Sequence, residues 1–130
     1  ARHAQRPYSL DYFERIFTDF EELLDSDELD AVVIATPNHL HEPHVLSALR
    51  AKLHVLCERP LSLSTRGIER CLAKAEECGV VLALENHWGL ARTPEGLLRI
   101  LNSISSPWLG GLMDTGNFLE DPYTKLEAIA

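Results

Sequence analysis

Four polar clusters contain the side chains with which this 130-residue sequence could bind a ligand or catalyse a reaction. Each cluster directly follows a run of apolar residues. Carboxylate, amide and imidazole groups of the kind found in them bind polar small molecules, transfer protons and coordinate divalent cations. The clusters are Thr36-Pro37-Asn38, Glu58-Arg59-Pro60, Glu85-Asn86-His87 and Asp114-Thr115-Gly116-Asn117.

The apolar runs before these clusters predict four buried strands. None of the runs alternates polar with apolar residues, which is typical of parallel strands that are covered on both faces. They occupy residues 31–35, 54–57, 80–84 and 109–113, so each gap has room for the crossover helix of a βαβ unit. The expected fold class is α/β, with a parallel sheet of about four strands and crossover helices.

The segments between the predicted strands have the pattern of amphipathic helices. The clearest starts at Ser64 or Thr65 and ends at Gly79, and another starts at Thr93 with Pro94 in its first position. Their predicted buried stripes are Ile68, Cys71, Leu72 and Ala75 in the first, and Leu97, Ile100, Leu101 and Ile104 in the second. Further helices are predicted at 18–24, behind the capping box Thr18-Asp19-Phe20-Glu21, at 41–50, with Val45, Ala48 and Leu49 inward, and at 123–130.

The positions of the clusters lead to the main geometric prediction. Ligands bind at the carboxyl ends of parallel strands in open α/β sheets and in barrels. All four clusters stand at these ends. We therefore predict that Asn38, Glu58, Glu85 and Asp114 lie along one edge, where a small molecule could contact several of them.

The composition excludes several classes of function. A formal net charge of -8 opposes a sequence-independent grip on phosphates, so no nucleic-acid partner is expected. No apolar run approaches the length of a membrane span, so no membrane role is expected. The three cysteines fall in apolar strands or helix faces, as free thiols do in a reducing compartment, and the expected localisation is cytoplasmic. The sequence shows neither a leader pattern nor an initiator Met, as expected of an internal segment.

Residues 17–79 resemble the Gfo/Idh/MocA oxidoreductases. The first similar motif is DAVVIATPNHLH, from Asp30 to His41, and the second is HVLCERPL, from His54 to Leu61. The resemblance implies a Rossmann segment, NAD or NADP as cofactor and a sugar or polyol as substrate. It also implies that the dinucleotide is lined by Thr36, Pro37, Asn38, His41, Glu58, Arg59 and Pro60, with Glu58 beside the nicotinamide. Arg59 stands where the family has a Lys that helps to bind cofactor and substrate, which makes it a candidate catalytic residue.

The sequence departs from this family in two ways. An Arg guanidinium effectively never loses its proton, whereas a buried Lys can, and this opposes a proton-transfer role for Arg59. The glycine-rich G-x-G-x-x-G turn that holds the pyrophosphate at a helix N-terminus does not occur in the sequence. We therefore expect weak or no dinucleotide binding from this segment alone.

Simpler interpretations of the same residues stay open. Thr-Pro-Asn after a strand is also ordinary turn chemistry, and Glu-Arg-Pro can end a loop. The trio His39, His41 and His44 could indicate a metal site, but no Cys or carboxylate completes a ligand spacing. A helix-entry role is favoured, with His41 near the cofactor as the resemblance implies.

Residues 80–130 resemble the xylose isomerase-like TIM barrels, which include sugar phosphate isomerases and epimerases. The similar segments are LALENHWG from Leu82, TPE from Thr93 and LMDTGNF from Leu112. In those barrels a carboxylate at each matching strand end binds a divalent ion. The resemblance therefore implies Glu85 and Asp114 as ligands of Mn²⁺ or Mg²⁺, with His87 and Asn117 near the sugar.

The chemistry of hard oxygen ligands fits that implication. The ion can polarise a carbonyl while a carboxylate moves a proton at the neighbouring carbon, which makes Glu85 a candidate catalytic residue. Structural roles are the alternative: Glu85 could cap a neighbouring helix, and Asp114 could open a turn before Gly116. Trp88 and Trp108 could flank a pocket or cover the edge of the sheet.

The two resemblances divide the chain into a partial NAD(P)-binding Rossmann segment, 1–79, and a partial barrel segment, 80–130, joined within the helix at 65–79. Both segments could form one continuous fold, because both families are built from the same right-handed βαβ unit. Three functions are expected in turn: an NAD(P)-dependent oxidoreductase-type protein acting on sugars or polyols, a metal-dependent sugar phosphate isomerase or epimerase fragment, and a non-catalytic fragment that forms a homo-oligomer through open sheet edges. The first is preferred for the lineage of the chain, because its match covers the larger part of the sequence, and the third for the behaviour of the chain by itself; turnover by this chain alone is not expected.

Overall fold

A computed structural model of the protein describes residues 14–26 and 29–130, so residues 1–13 and 27–28 of the predicted first segment lie outside the described residues. Helices and strands alternate along the described chain, and the α/β class is confirmed. The elements are α1 (Phe20–Leu24), β1 (Ala31–Ile34), α2 (Asn38–Arg50), β2 (His54–Cys57), α3 (Thr65–Cys78), β3 (Leu82–Glu85), α4 (Pro94–Ser103), β4 (Leu109–Leu112) and α5 (Pro122–Glu127), with a 3₁₀ turn at Gly89–Ala91.

The four strands lie in two parallel sheets of two, which differs from the predicted sheet of about four. In the first sheet Ala31 is opposite His54 and Ile34 is opposite Cys57. In the second sheet Leu82 is opposite Leu109. Among the described residues β2 and β3 share no ladder. An apolar run indicates a strand but does not specify which strand lies beside it, so the pairing of β2 with β3 does not follow from the sequence pattern.

The first sheet has one covered face, which corrects the prediction that its strands are buried on both sides. Val32 and Ile34 of β1 pack with residues of α2 and α3 in a single apolar cluster. On the other face, Val33 is 70% exposed and Leu56 is 62% exposed. Both helices cover the same side of the sheet, so the apolar side chains of the opposite side stay open.

The core beneath those helices agrees with the predicted stripes in most positions. Val45, Ala48 and Leu49 of α2 are buried, as are Cys71 and Ala75 of α3. Burial raises the pKa of the Cys71 thiol to about 11, so this side chain is a protonated, apolar core group at neutral pH.

Two positions at the ends of the stripes are wrong. Ile68 is 40% exposed and Ile104 is 37% exposed, because each stands where its helix has no covering element. Ile104 is in addition the C-cap of α4, with an extended backbone, so its side chain no longer follows the helical stripe.

The helix ends follow the sequence signals closely, with small shifts. Ser64 caps α3, where its hydroxyl accepts a hydrogen bond from the Gly67 N–H at 3.1 Å. At the other end the Val80 N–H donates to the Ala75 carbonyl at 2.8 Å, which still belongs to the helix terminus. The strand predicted from residue 80 therefore begins at Leu82, whose N–H donates to the Trp108 carbonyl directly before β4.

The predicted capping box of α1 has a different cap. The Asp19 carboxylate accepts hydrogen bonds from the Glu21 and Glu22 N–H groups, each at 3.0 Å, so Asp19 is the N-cap in place of Thr18. Thr93 caps α4 with Pro94 in the first turn, as predicted. No helix in the part of the chain that the structure describes is both long and apolar enough to cross a membrane.

Candidate functional site

The clusters after β1 and β2 lie together at one end of the first sheet. Because β1 and β2 are parallel, with Ile34 opposite Cys57, both chains leave the sheet at the same edge. The Glu58 N–H donates to the Ile34 carbonyl at 2.9 Å and so continues the ladder by one step. The shared edge is confirmed for this pair of clusters, which are Thr36-Pro37-Asn38 and Glu58-Arg59-Pro60.

His41 ties these two clusters together. Its Nε2 lies 2.7 Å from the Thr36 carbonyl oxygen and its Nδ1 lies 2.7 Å from the Pro60 carbonyl oxygen. The ring is 1% exposed. Both ring nitrogens are therefore occupied by contacts within the chain. In this structure His41 joins the backbone that follows β1 to the backbone that follows β2.

The Glu42 side chain of α2 also contacts the loop after β2. The Glu42 carboxylate accepts hydrogen bonds from the Ser62 hydroxyl at 2.7 Å and from Arg70 Nε at 2.8 Å. The Ser62 and Arg70 hydrogen bonds hold the pKa of Glu42 below its usual value. A Cβ at position 67 would stand 1.9 Å from the Ser62 hydroxyl oxygen, so a larger residue there would displace the Ser62 and Glu42 side chains from this contact.

Thr36 is fixed on its side-chain end by His44. The Thr36 hydroxyl lies 3.2 Å from His44 Nδ1, and the His44 ring stacks on Phe20 of α1 with 4.0 Å between centroids. Burial lowers the pKa of His44, an effect that Glu21 opposes and His41 reinforces. The neutral ring is thereby favoured, and its Nδ1 can accept a hydrogen bond from the Thr36 hydroxyl.

The remaining side chains of the first site are open to solvent. Pro37, Asn38, Glu58, Arg59 and Pro60 are exposed. Asn38, Glu58 and Arg59 have no side-chain hydrogen bond or ion pair with any other described residue. The Asn38 amide, the Glu58 carboxylate and the Arg59 guanidinium are thus exposed beside the two backbone segments that His41 joins.

The clusters after β3 and β4 lie together at the matching end of the second sheet. Buried Asn86 joins them: its amide group donates to the Asp114 carbonyl at 2.9 Å, and its amide oxygen accepts from the Asp114 N–H at 2.6 Å. Asn117 reaches back and donates to Glu85 Oε1 at 3.3 Å and to the Asn86 carbonyl at 2.9 Å. The prediction that Glu85 and Asp114 share an edge is therefore confirmed for this pair.

The prediction of a single edge for all four clusters is replaced by two edges, one in each sheet. Because the strands form two separate sheets, each pair of clusters has its own edge. Each pair also has its own bridging side chain, His41 in the first and Asn86 in the second. No hydrogen bond between described side chains joins the first pair to the second.

The predicted metal ligands have hydrogen-bonding roles in the structure. Asp114 Oδ1 accepts from the Gly116 N–H at 2.7 Å and opens the turn that was the structural alternative, whereas Glu85 accepts from Asn117 and caps no helix. Over residues 14–26 and 29–130 no group of three or more His, Cys, Asp and Glu side chains could hold a metal ion. This also applies to the trio His39, His41 and His44.

The other residues predicted to lie near a sugar stand beside this second edge. His87 Nδ1 accepts from the Trp88 N–H at 2.8 Å, and the two rings lie 6.3 Å apart. Trp88 and Asn117 both line a cavity. Trp108 is half-buried directly before β4 and is not among the residues that line this cavity.

Sequence reasoning gave no role to Asn86, although it is fully buried and joins the two strand ends. The only signal was its place directly after a strand, between two residues with assigned roles. Buried amides have hydrogen-bond partners, so an Asn directly after a predicted strand is a candidate for joining that strand end to its neighbour.

Two family models match the chain. A family described as an oxidoreductase family with an NAD-binding Rossmann fold matches residues 2–86, and a family described as a xylose isomerase-like TIM barrel matches residues 61–130. The matched ranges overlap across α3 and β3. Both resemblances are confirmed, and the predicted junction helix lies within the overlap.

Curated relatives match about half of the chain. It is 41% identical over 70 residues to a 1,5-anhydro-D-fructose reductase of Ensifer adhaerens, which covers 54% of the chain and 21% of the relative. It is 41% identical over 66 residues to an NADP(+)-dependent scyllo-inositol 2-dehydrogenase of Bacillus subtilis (51% and 20%), and 32% identical over 69 residues to a myo-inositol 2-dehydrogenase of Thermotoga maritima (53% and 21%). The chain therefore spans about a fifth of the length of these relatives.

A solved structure is similar in fold over about two thirds of the chain. The crystal structure of a probable dehydrogenase from Thermotoga maritima matches with a TM-score of 0.50 and 27% sequence identity, covering 66% of this chain and 26% of that one.

Proposed function

This chain belongs to the oxidoreductase family with an NAD-binding Rossmann fold and to the xylose isomerase-like TIM barrel family, and from that premise we propose that it forms one wall of the dinucleotide site of an NAD(P)-dependent oxidoreductase acting on sugars or polyols. The observation that carries the proposal is the His41 bridge. It holds the loops of Thr36 and Pro60 side by side at the carboxyl edge of a parallel sheet, where dinucleotides bind.

The exposed groups at this edge fit a dinucleotide. The Asn38 amide can both donate and accept, as recognition of a carboxamide or a ribose requires, and the Arg59 guanidinium can pair with a phosphate. NAD(P) supplies the hydride chemistry when it is bound. The residues of this chain bind and orient; Glu58 is the proposed neighbour of the nicotinamide, and Arg59 the proposed contact to cofactor and substrate.

The substrate class is proposed from the relatives, whose names describe an anhydro-sugar reductase and two inositol dehydrogenases. The proposed compartment is the cytoplasm, which accords with free thiols at Cys57, Cys71 and Cys78. The proposal for this chain is binding and orientation of the dinucleotide, and no turnover by this chain alone is proposed.

Dinucleotide binding by the chain is the first test. The sequence contains no glycine-rich pyrophosphate turn, so we expect weak but saturable binding of NADH or NADPH, with a Kd on the order of 1 mM. Saturation-transfer difference NMR measures contacts of this strength and should show signal from the nicotinamide protons. An Asn38→Ala/Glu58→Ala double variant should lose most of that signal.

The matched control is Asn102→Ala, which changes an exposed amide on α4, outside both strand-end clusters. Its signal should equal that of the wild-type chain. No saturable signal in the wild-type chain, or an equal signal in the double variant, would reject the dinucleotide wall.

A metal-dependent sugar isomerase or epimerase segment is the second candidate. The observation in its favour is that Asn117 and Asn86 bring the carboxylates of Glu85 and Asp114 to one strand edge. Each carboxylate keeps one oxygen outside the hydrogen bonds described above, and hard oxygen ligands suit Mn²⁺ or Mg²⁺. Two carboxylates are only part of a ligand set, so the expected affinity is low.

Calorimetry with Mn²⁺ tests this candidate. A small, saturable heat is expected for the wild-type chain and should disappear in Glu85→Gln/Asp114→Asn. The control Glu69→Gln/Glu76→Gln removes the same number of charges from the exposed face of α3 and should keep the heat. If both double variants respond alike, the heat arises from general charge attraction and the metal site is rejected.

A further inference from the structure

Among residues 14–26 and 29–130, β1 has a partner strand on one of its sides only. The His54 N–H donates to the Asp30 carbonyl and the Glu58 N–H donates to the Ile34 carbonyl. In a parallel pair every second residue points its backbone N–H and C=O groups at the neighbouring strand, so the even-numbered residues of β1 face β2. The odd-numbered residues point these groups at the other side, which we call the open side of β1. They are Ala31, Val33 and Ala35.

The backbone groups on the open side are available for pairing. They form no backbone hydrogen bond with another residue that the structure describes, and all three residues are exposed. Proteins prevent a second chain from adding to such a row by means of a charged side chain, a proline or a bulge. Residues 31–35 contain neither a charge nor a proline, and the ladder to β2 has no bulge. The open side of β1 is therefore competent to pair with another strand.

A groove with a volume of ≈340 Å³ lies beside β1. Its other lining residues are apolar apart from Thr36: Phe20 and Leu23 come from α1, and Leu29 precedes the strand. An extended segment that adds to an exposed strand is held by main-chain hydrogen bonds and by apolar contacts beside them. The groove offers such contacts next to the open backbone groups.

The open side of β1 is complementary to itself. Ala31 and Ala35 stand at equal distances along the strand from Val33, and all three residues point their backbone groups outward. In an antiparallel pair centred on Val33, the two Val33 residues would be opposite each other and Ala31 would be opposite Ala35. Each of these would be a hydrogen-bonded pair, in which both residues exchange N–H and C=O bonds. A second copy of the chain therefore satisfies every backbone group on the open side, in the symmetric contact that is usual in homodimers.

The side chains on the exposed face of the first sheet agree with this pairing. Val33 is opposite Leu56, and the two are 70% and 62% exposed. Pairing about Val33 would place the two Val33 side chains directly across from each other, with Leu56 of each copy at the outer ends of one apolar row. Alanines stand on both sides of Val33 at the contact. No bulky side chains and no like charges would meet there.

We propose that the open side of β1 binds a second copy of this chain, through antiparallel pairing of residues 31–35 centred on Val33. This assigns the self-association expected from the sequence to one strand and one register. The inference goes beyond the dinucleotide wall and does not rest on it, because Ala31 and Val33 belong to neither strand-end cluster. One short strand pair is smaller than the roughly 800 Å² per partner of a standard interface, so we expect a Kd on the order of 100 μM.

Sedimentation velocity of the whole chain at concentrations from about 10 μM to about 1 mM tests the association, because this range spans the expected Kd. Salt at about 0.3 M screens the repulsion between two copies that each have a net charge of -8. A reductant prevents disulfide-linked pairs through the exposed Cys78. We expect monomers at the low end of the range and dimers at the high end.

NMR tests the strand and the register. Hydrogen exchange of the Val33 amide should slow about ten-fold as dimers form, whereas the amides of Val32 and Ile34 should be protected at every concentration because they face β2. In a mixture of labelled and unlabelled chains, the α protons of Val32 and Ile34 should show a contact between copies. The proposed register makes these residues a non-hydrogen-bonded pair, with Cα atoms about 4.5 Å apart.

Variants separate pairing along β1 from other kinds of association. Ala31→Pro removes an outward N–H and Val33→Lys places two cations opposite each other, so each should raise the Kd at least about ten-fold. Val33→Thr keeps the backbone groups and the β-branched shape and should still dimerise. Leu56→Lys adds the same charge to the same face, but in the dimer its two copies would be about 14 Å apart, so the Kd should change less than about three-fold. Circular dichroism checks that each variant is folded.

Four results would overturn the proposal. The chain could stay monomeric over the whole range, or the dimer could survive both Ala31→Pro and Val33→Lys. Leu56→Lys could weaken the dimer as much as Val33→Lys does, which would indicate that the sheets pack face to face. Protection of the Val33 amide could also be independent of concentration, which would show that another part of the same chain occupies the open side.

Discussion

Replacement of His41 by Ala is expected to lower the free energy of unfolding by about 3 kcal/mol, since the contacts of the ring with two backbone carbonyls are lost and a cavity is left. The side chain is 1% exposed and joins the Thr36 and Pro60 carbonyls, so no water replaces it without rearrangement. A loss of this size is a large share of the stability of a small domain. Urea unfolding followed by circular dichroism measures it.

His39→Ala is the matched control for His41, because His39 stands in the first turn of the same helix and is exposed. Its expected effect is below about 0.5 kcal/mol. Hydrogen exchange should also show faster opening in His41→Ala at the ends of β1 and β2. Equal destabilisation by both variants would mean that His41 does not hold the loops together.

Asn86→Ala is expected to cost a similar amount, about 2–4 kcal/mol, at the second sheet. The buried amide makes a donor and an acceptor bond to the backbone of Asp114, and both partners would be left unpaired. Asn86→Asp should cost at least as much at neutral pH, because the introduced carboxylate would face the Asp114 carbonyl. Chemical unfolding of the two variants gives these values.

Asn102→Ala is the control for Asn86, since it removes the same group from an exposed position on α4. It should change stability by less than about 0.5 kcal/mol. Hydrogen exchange in Asn86→Ala should accelerate at β3 and β4 and leave β1 and β2 unchanged. Uniform acceleration in all four strands would contradict the view that each sheet edge has its own bridge.

The strands and helices could be predicted because their signals are local. β2 has the predicted bounds, and the Ser64 and Thr93 caps stand where the sequence places them. The pairing of the strands could not be predicted in the same way. Apolar runs indicate that β2 and β3 prefer burial, but they contain no information on which strand lies beside which, and this decides between one sheet and two.

The convergence of strand-end residues could be predicted from the sequence, whereas the contacts of their side chains could not. Glu85 and Asp114 converge because both follow parallel strands, which is a rule of topology. The role of His41 was less accessible, since sequence does not show that both ring nitrogens face backbone carbonyls. Arg92 and Lys125 had no local pattern in common, and only the folded chain brings them to one cavity.

The central claim is that the Thr36 and Glu58 loops form a single wall that receives a dinucleotide. Backbone amide shifts in a ¹⁵N spectrum, recorded as NADH is added, test it most directly. We predict that the amide chemical shifts of Thr36, Asn38, Glu58 and Arg59 change along one binding curve. Those of Asn86 and Asn117 should stay constant. Movement confined to the second sheet, or different curves for the two loops, would contradict it.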